Sequence, residues 1–145
     1  MILLDVNILL ALADLQHPHH AIAKTYFVNR SPGIWATCPL VENGFLRILP
    51  GSAYAQRVES PQTARAILDQ MILSSAGHQF WLDDLSLRDE LHFPTLPHSK
   101  HLTDCYLLAM AVKRGGQFVT FDRRIDPSWV PGGSQALLVL ETRNP

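Results

Sequence analysis

Apolar positions along this chain occur in two patterns, short continuous runs and longer stretches with helical spacing. Short apolar runs bounded by turn residues predict buried strands. Five such runs are present, at residues 2–5, 34–38, 78–82, 117–121 and 136–140. The runs are too short to be helices, and they recur along the whole sequence. The pattern therefore predicts five strands separated by other elements.

Helical spacing fills most of the sequence between these runs. Ile8, Leu9, Leu12 and Leu15 fall on one stripe, and Asn7 stands where a helix cap is expected. Proline is a good first-turn residue, and glycine or proline often follows a helix end. These signals predict further helices that begin near Pro18, Pro39, Pro61 and Thr103 and end near Ser31-Pro32-Gly33, at Pro50-Gly51 and at Gly115-Gly116. Residues 83–91 are predicted as a short helix, and residues 51–60 and 92–100 as loops.

The order of strands and helices predicts one α/β domain over residues 1–145. Strands that alternate with helices favour a parallel sheet of about five strands with helices on both faces, which is a three-layer α/β/α arrangement. A hydrophobic fraction of 47% with 17% charged residues is typical of a globular chain and excludes disorder. The formal net charge of −1 indicates that an anionic ligand would be held by local clusters, not by bulk charge.

Cysteine usage and the N-terminus predict a soluble cytoplasmic protein. Cys38 and Cys105 form neither a CxxC pair nor a disulfide framework, and they are interpreted as small core residues in a reduced compartment. No basic segment precedes the first apolar run, and Asp5 interrupts that run too early for a signal peptide. No apolar stretch approaches the length of a membrane span.

Candidate chemistry lies where apolar runs end on acids. Asp5 and Asp122 each terminate a predicted strand, Glu42 follows the second strand, and Asp104 begins the helix before the fourth. Ligand sites of parallel sheets lie beyond the carboxyl ends of the strands, near the point where strand order reverses. We therefore expect the four carboxylates to converge at one edge of the sheet.

Converging carboxylates need a neutralising partner. At an effective dielectric constant near 20, two carboxylates about 4 Å apart repel by roughly 4 kcal/mol. Oxygen donors without thiolates favour Mg²⁺ or Mn²⁺, and such ions activate water for attack on phosphodiesters. Asn7 and Thr120 lie two residues from Asp5 and Asp122 and are predicted as supporting hydrogen-bonding groups.

Each acid also has an ordinary explanation when it is taken alone. Asp104 could be a first-turn acid of a helix capped by Thr103, because carboxylates are favourable at helix N-termini. Glu42 could be a solvated helix residue, and Asp122 could be a turn residue. Asp5, between an apolar strand and an apolar helix, has little solvated surface. The joint placement of the four residues favours a shared site.

Four motifs resemble those of PIN-domain ribonucleases, specifically the VapC-type toxins of bacterial toxin–antitoxin pairs. They are "LLDVNILLALA", "TCPLVENGFLRIL", "LTDCYLLAMAVKRGG" and "FVTFDRR", in the order and spacing of that family. The resemblance implies an endoribonuclease dependent on Mg²⁺ or Mn²⁺. It assigns the main cation to Asp5, Asp104 and Asp122, and a second ion or the orientation of the attacking water to Glu42.

The resemblance also implies partners. It predicts a homodimer that is held inactive by a cognate antitoxin, whose tail fills a groove near the site. Leu12, Leu15 and Phe27 on the first helices are candidates for the dimer or antitoxin surface, with core packing as the alternative. The segments "GSAYAQRVESPQ" and "HFPTLPHSK" follow no family pattern, and we expect them to influence substrate choice.

Basic residues near the acids are candidate RNA contacts. An acidic pocket repels a polyanion, so we expect Arg123, Arg124 and Lys100 to bind RNA phosphates. Ordinary solvated side chains are the alternative explanation for all of them.

Histidine and tryptophan positions add little to this hypothesis. The HPHH segment, residues 17–20, lacks further zinc ligands nearby and is interpreted as a polar loop and helix start. His101, three residues before Asp104, is interpreted as a surface histidine, with an approach to the site as the alternative. Trp35, Trp81 and Trp129 are predicted as core or interface residues, with base stacking as an alternative for Trp129.

Other functional classes fit the sequence less well. A receiver-type phosphoacceptor would need adjacent acids after the first strand, where Asp5 stands alone, and a lysine after the fifth. A haloacid-dehalogenase-like phosphatase would need Asp where Asn7 stands. A PIN-like interaction module without catalytic activity remains a further alternative.

Overall fold

The computed structural model describes residues 1–30, 33–52 and 58–142, and within them five strands form one parallel sheet. The order across the sheet is β3-β2-β1-β4-β5. The strands are β1 (Ile2–Leu4), β2 (Trp35–Thr37), β3 (His78–Phe80), β4 (Gln117–Thr120) and β5 (Leu137–Val139). The predicted parallel sheet is confirmed, with each strand lying inside its apolar run.

The strand order reverses between β1 and β4. The chain steps from β1 outward to β2 and β3, and then returns to the other side of β1 to form β4 and β5. Leu4 is in register with Val119, so the carboxyl ends of β1 and β4 lie level with each other. Asp5 and the residues after Thr120 therefore flank the crevice where ligands of such sheets bind.

Helices cover both faces of the sheet. They are α1 (Val6–Ala13), α2 (His20–Asn29), α3 (Pro39–Ile48), α4 (Pro61–Ser74), α5 (Leu102–Lys113) and α6 (Gly133–Ala136). Helix α1 packs against α2, α3 and α4, whereas α5 packs against α6. Crossovers between parallel strands are right-handed in nearly all sheets. Connections to opposite sides of β1 therefore place these two groups on opposite faces, in agreement with the three-layer arrangement.

Two packing features fix the helices that carry the acids. Helix α5 is buried along the continuous segment from Cys105 to Ala111, so Asp104 lies in the first turn of a core helix. On the other face, Gly44 lets α3 approach α1 closely. A Cβ atom at Gly44 would lie 2.7 Å from Cγ2 of Val6, too close for any larger residue without movement. The first turn of α1 is thereby held against α3.

Several predicted details of the helices are wrong. Helix α1 is capped by Asp5 and not by Asn7, because Asp5 immediately precedes it and its carboxylate accepts a hydrogen bond from the backbone N–H of Val6. Leu15 lies beyond the end of α1. Helix α5 begins at Leu102, with His101 at the capping position, so Thr103 lies inside the helix.

Residues 83–91 are irregular, with turns at 87–88 and 90–91, and do not form the predicted helix. Asp89 accepts hydrogen bonds from the backbone N–H of Leu91 and from Nδ1 of His92, and Ser86 accepts one from the N–H of Arg88. Such local bonds give the backbone an alternative to helical pairing. The hydroxyl group of Tyr106 ties this segment to α5 through the N–H and C=O of Leu85.

Other expectations can be compared with the described residues. Both cysteines are free and buried, as predicted. Trp35 and Trp81 are core residues, as predicted. Within the described ranges, no helix combines the length and apolarity needed to cross a bilayer. Parts of the predicted loop at 51–60 and the predicted helix end at Ser31-Pro32 lie outside the described residues.

Candidate active site

Asp5 is the most deeply buried of the candidate acids. Only 7% of its surface is exposed, and both carboxylate oxygens have partners. Oδ1 accepts a hydrogen bond from the N–H of Val6 at 2.7 Å, and Oδ2 accepts one from the hydroxyl of Thr120 at 2.5 Å. The residue is therefore both the cap of α1 and a side chain of the crevice between β1 and β4.

Thr120 is the centre of the network that joins these two strand ends. Its hydroxyl donates to Asp5 and accepts from Nδ2 of Asn7 and from the N–H of Asp122, both at 3.0 Å. Oδ1 of Asn7 in turn accepts from the N–H of Phe121 at 3.2 Å. A hydroxyl with one donated and two accepted bonds is fully used. The network fixes the orientation of Asp5 relative to the residues that follow β4.

Three of the acids act on one another electrostatically. Burial raises the pKa of Asp5 from 3.8 to about 6, and the charges of Asp104 and Asp122 contribute to the increase. Burial also raises the pKa of Asp104, with a further contribution from Asp122 and an opposing one from His101. The structure thus brings Asp5, Asp104 and Asp122 together at the reversal point of the sheet.

Asp122 differs from the other two because an arginine neutralises it. Oδ1 accepts from the backbone N–H and from Nε of Arg124 at 2.9 and 3.0 Å, and Oδ2 accepts from Nη2 at 2.9 Å. These hydrogen bonds lower the pKa of Asp122. Arg124, expected to bind RNA, is engaged with a site carboxylate, whereas Arg123 and Lys100 have exposed side chains.

His101 belongs to the surroundings of Asp104. Its Nδ1 lies 3.7 Å from Oδ2 of Asp104, and only 13% of its side chain is exposed. Its ring packs against Trp129, with the ring centroids 5.3 Å apart. The expectation of a plain surface histidine is therefore wrong. His101 ends a 3₁₀ turn at Ser99–His101 and caps α5, three residues before Asp104, which places the two side chains on the same side of the helix.

Glu42 lies in the first turn of α3 and belongs to a second hydrogen-bonded group. Its Oε1 accepts a hydrogen bond from the hydroxyl of Thr37 at 2.7 Å, and Nε2 of His78 lies 2.9 Å from the same hydroxyl. Because Thr37 donates its proton to Glu42, His78 is the donor to Thr37. Burial lowers the pKa of His78, and the charge of Glu42 opposes this effect. Glu42 is thus held from β2 and β3, whereas the other three acids interact with one another.

Thr37 and His78 are site residues that the sequence did not reveal. Thr37 is fully buried at the end of β2, and a polar residue ending an apolar strand was a usable signal. His78 stands 41 residues further along the chain from Thr37, and no local pattern links the two.

The donor set suits a hard divalent cation in chemical type, because carboxylate oxygens are the ligands that Mg²⁺ and Mn²⁺ prefer. In their present arrangement, however, no three His, Cys, Asp or Glu side chains of the described ranges could hold a metal ion together. Both oxygens of Asp122 are taken by Arg124, and those of Asp5 by Thr120 and Val6. Each of these carboxylates accepts two or three hydrogen bonds out of about four that it can accept, so an ion would have to share the oxygens with the present partners or displace some of them.

The HPHH segment lies beside the residues that follow β4. The ring of His19 packs against Phe121 at a centroid distance of 5.2 Å and lies 5.7 Å from that of His17. Nδ1 of His20 lies 2.8 Å from the carbonyl oxygen of Ala11. The segment forms turns before α2, which agrees with the interpretation as a polar loop and helix start.

Comparison with known proteins identifies the family. The family model described as PIN domain matches residues 2–127. The chain belongs to the PIN domain family. Within it, the chain is 40% identical over 133 residues to Ribonuclease VapC39 of Mycobacterium tuberculosis, covering 87% of this chain and 91% of that protein. It is 36% identical over 142 residues to Ribonuclease VapC44 of the same organism, covering 92% and 94%.

A solved structure shares the PIN fold. The crystal structure of VapC20 of Mycobacterium tuberculosis, a sarcin-ricin loop cleaving toxin, superposes with a TM-score of 0.55. The superposition covers 79% of this chain and 84% of VapC20, at 16% sequence identity. At this identity the similarity concerns the fold.

Proposed function

We propose that this PIN domain is an endoribonuclease toxin of the VapC type that hydrolyses RNA phosphodiester bonds in the cytoplasm. The observation that carries the proposal is the trio of Asp5, Asp104 and Asp122 at the reversal point of the sheet, where the charges of Asp104 and Asp122 help to raise the pKa of Asp5 to about 6. Such a concentration of negative charge is costly for a merely structural site. The names of the curated relatives, all ribonucleases, support the reaction class.

The proposed cofactor is Mg²⁺ or Mn²⁺. Asp5, Asp104 and Asp122 would hold the main ion, and Glu42 would hold a second ion or orient the attacking water. When bound, such an ion supplies Lewis acidity and lowers the pKa of water. The carboxylates have to be ionised to bind it, so the raised pKa of Asp5 predicts weaker binding as the pH falls below about 6.

The remaining residues orient these acids and the substrate. Thr120 fixes Asp5 through its hydroxyl, and Thr37 fixes Glu42 with support from His78. The exposed side chains of Arg123 and Lys100 would contact RNA phosphates and offset the repulsion between an acidic pocket and a polyanion.

The proposal includes a cognate antitoxin and a homodimer. Of the three apolar candidates for these surfaces, Leu15 is 75% exposed, whereas Leu12 and Phe27 are half-buried against the core. Leu15 is therefore the residue of this set that is most available to a partner.

The topology disfavours the receiver alternative. Receiver domains have the strand order 2-1-3-4-5, whereas the order here is β3-β2-β1-β4-β5.

A PIN-like interaction module without catalytic activity is distinguished from an enzyme by incubating the purified chain with RNA in Mn²⁺ or in EDTA. RNA cleavage that requires Mn²⁺ supports the endoribonuclease, and RNA that stays intact in both conditions supports the interaction module without activity.

Asp5→Asn tests the assigned site. We expect loss of cleavage with the fold retained, because the amide keeps the side-chain shape and loses the charge. Asp69→Asn, an exposed change on α4, is the matched control and should retain full activity. Undiminished Mn²⁺-dependent cleavage by the Asp5 variant would contradict the assignment.

A further inference from the structure

Arg124 engages both carboxylate oxygens of Asp122. Its guanidinium donates one hydrogen bond to each carboxylate oxygen, and its backbone N–H donates a third bond, to Oδ1. The side chain of Asp122 is 16% exposed, so its carboxylate keeps little contact with water. A cation that binds Asp122 meets oxygens that are already in use.

The guanidinium can leave without unfolding the turn. Its side chain is 74% exposed, so water can replace the bonds that it gives up. The backbone N–H of Arg124 and the N–H of Asp122 itself, which donates to Thr120, hold the turn in place independently of the guanidinium. The interaction is thus a local ion pair that is easily exchanged, as exposed pairs generally are.

A phosphate group offers the guanidinium an equivalent partner. The paired N–H groups that bind a carboxylate also match two phosphate oxygens. Arg124 stands two residues after Asp122, beside the acids that the proposed RNA substrate would approach.

We propose that Arg124 is a positioning residue that occupies Asp122 in place of the divalent cation and releases it when the guanidinium binds a substrate phosphate. This inference rests on the proposed function for the identity of the substrate. It makes metal binding and nucleic-acid binding cooperative, and by linkage each ligand strengthens the other by the same factor. An unoccupied enzyme then holds its metal weakly, and the complete centre assembles on RNA.

The first test measures Mn²⁺ affinity without nucleic acid. Electron paramagnetic resonance of free Mn²⁺ gives the dissociation constant for the full chain and for Arg124→Gln, Arg124→Lys and Arg123→Gln. We expect Arg124→Gln to bind Mn²⁺ roughly two- to five-fold more tightly than Arg123→Gln, the range expected for losing an exposed ion pair. Arg124→Lys, which keeps the charge without the paired donors, should lie between the wild type and Arg124→Gln.

Arg123→Gln is the matched control because it removes the same charge at the adjacent exposed position. Equal Mn²⁺ affinities for the two glutamine variants would overturn the inference, since the effect would then be general electrostatics. Failure of all four proteins to bind Mn²⁺ would also overturn it. Melting temperatures without metal verify that each variant is folded.

The second test measures coupling. A single-stranded DNA oligonucleotide serves as a phosphate ligand without a ribose 2′-hydroxyl, and Mn²⁺ affinity is measured with and without it. The wild type should bind Mn²⁺ more tightly with the oligonucleotide, and Arg124→Gln should show little of this increase. Unchanged coupling in that variant contradicts the inference. Both tests measure Mn²⁺ binding and do not depend on RNA cleavage. A protein that fails to cleave RNA would contradict the proposed function and leave the result of these two tests unaffected.

Discussion

Ionised Asp5 destabilises the metal-free fold, and Asp5→Asn should remove the effect. The pKa of Asp5 rises from 3.8 to about 6 in the folded protein. Because the folded-state pKa lies above the unfolded value, the residue's contribution to stability is fully present below pH 3.8 and is lost as the pH rises through about 6. Above that pH, the folded chain carries a buried charge that the variant lacks.

The expected magnitude follows from the two pKa values. The difference between 3.8 and about 6 corresponds to about 3 kcal/mol of unfolding free energy. The amide of Asn can accept from either Val6 or Thr120, and the lost hydrogen bond costs about 1 kcal/mol. The net gain is therefore about 2 kcal/mol, which for a chain of this length raises the melting temperature by about 6 °C.

Thermal unfolding in EDTA across pH 4 to 8 measures the difference between the two proteins. At the upper end of this range the Asn variant should melt about 6 °C above the wild type. Near pH 4.5 the order should disappear or reverse slightly, because wild-type Asp5 is then protonated. Asp69→Asn, on the exposed side of α4, should follow the wild type throughout.

The stability order at pH 8 decides between charge burial and hydrogen bonding at Asp5. A variant less stable than the wild type at pH 8 would show that the hydrogen bonds from Val6 and Thr120 outweigh the burial of the charge. Added Mg²⁺ should shift the difference in melting temperature between the two proteins in favour of the wild type. An ion at 100 times its dissociation constant stabilises the wild type by about 2.7 kcal/mol, and the Asn variant should gain much less.

Two further substitutions test other parts of the molecule. Thr37→Val should lower the RNA cleavage rate about five- to ten-fold by releasing Glu42. Single-turnover assays measure this rate. Recovery of the rate in Thr37→Ser would assign the loss to the hydroxyl group, whereas a wild-type rate in Thr37→Val would show that Thr37 does not orient Glu42. Gly44→Ala should destabilise the fold by about 1–3 kcal/mol in urea titrations, because the new Cβ would lie 2.7 Å from Val6. Gly51→Ala, with open space around it, should cost far less, and equal effects would count against the close approach of α1 and α3.

The sequence predicted the strands and most helices because their signals are local. Each strand is a short apolar run that ends at polar or turn residues, and Pro39 and Pro61 mark helix starts directly. The predicted helix at 83–91 failed because local bonds from Asp89 and Ser86 compete with helical pairing. The wrong cap of α1 has a related cause, since Asp5 serves as both site residue and cap.

The candidate site was predictable only in part, because its finer geometry depends on contacts between distant segments. The ends of β1 and β4 come together because of the sheet topology, and the general rule that ligands bind at the carboxyl ends of parallel strands predicts this location. The bond between Thr37 and His78 follows from tertiary structure that no spacing encodes. The contact between His101 and Asp104 is local, because residues three apart are neighbours on a helix.

The metal-free site is balanced by the chain itself, and this balance limits how tightly an ion can bind. Asp5 is compensated by a helix N–H and a hydroxyl, Asp104 by His101, and Asp122 by Arg124. A divalent cation would have to compete with these partners, so its net gain would be the difference between two compensated states. The affinity for the cation should accordingly depend on every partner. It should depend most on Arg124, because among these partners Arg124 alone is permanently charged and its exposed side chain can exchange Asp122 for water.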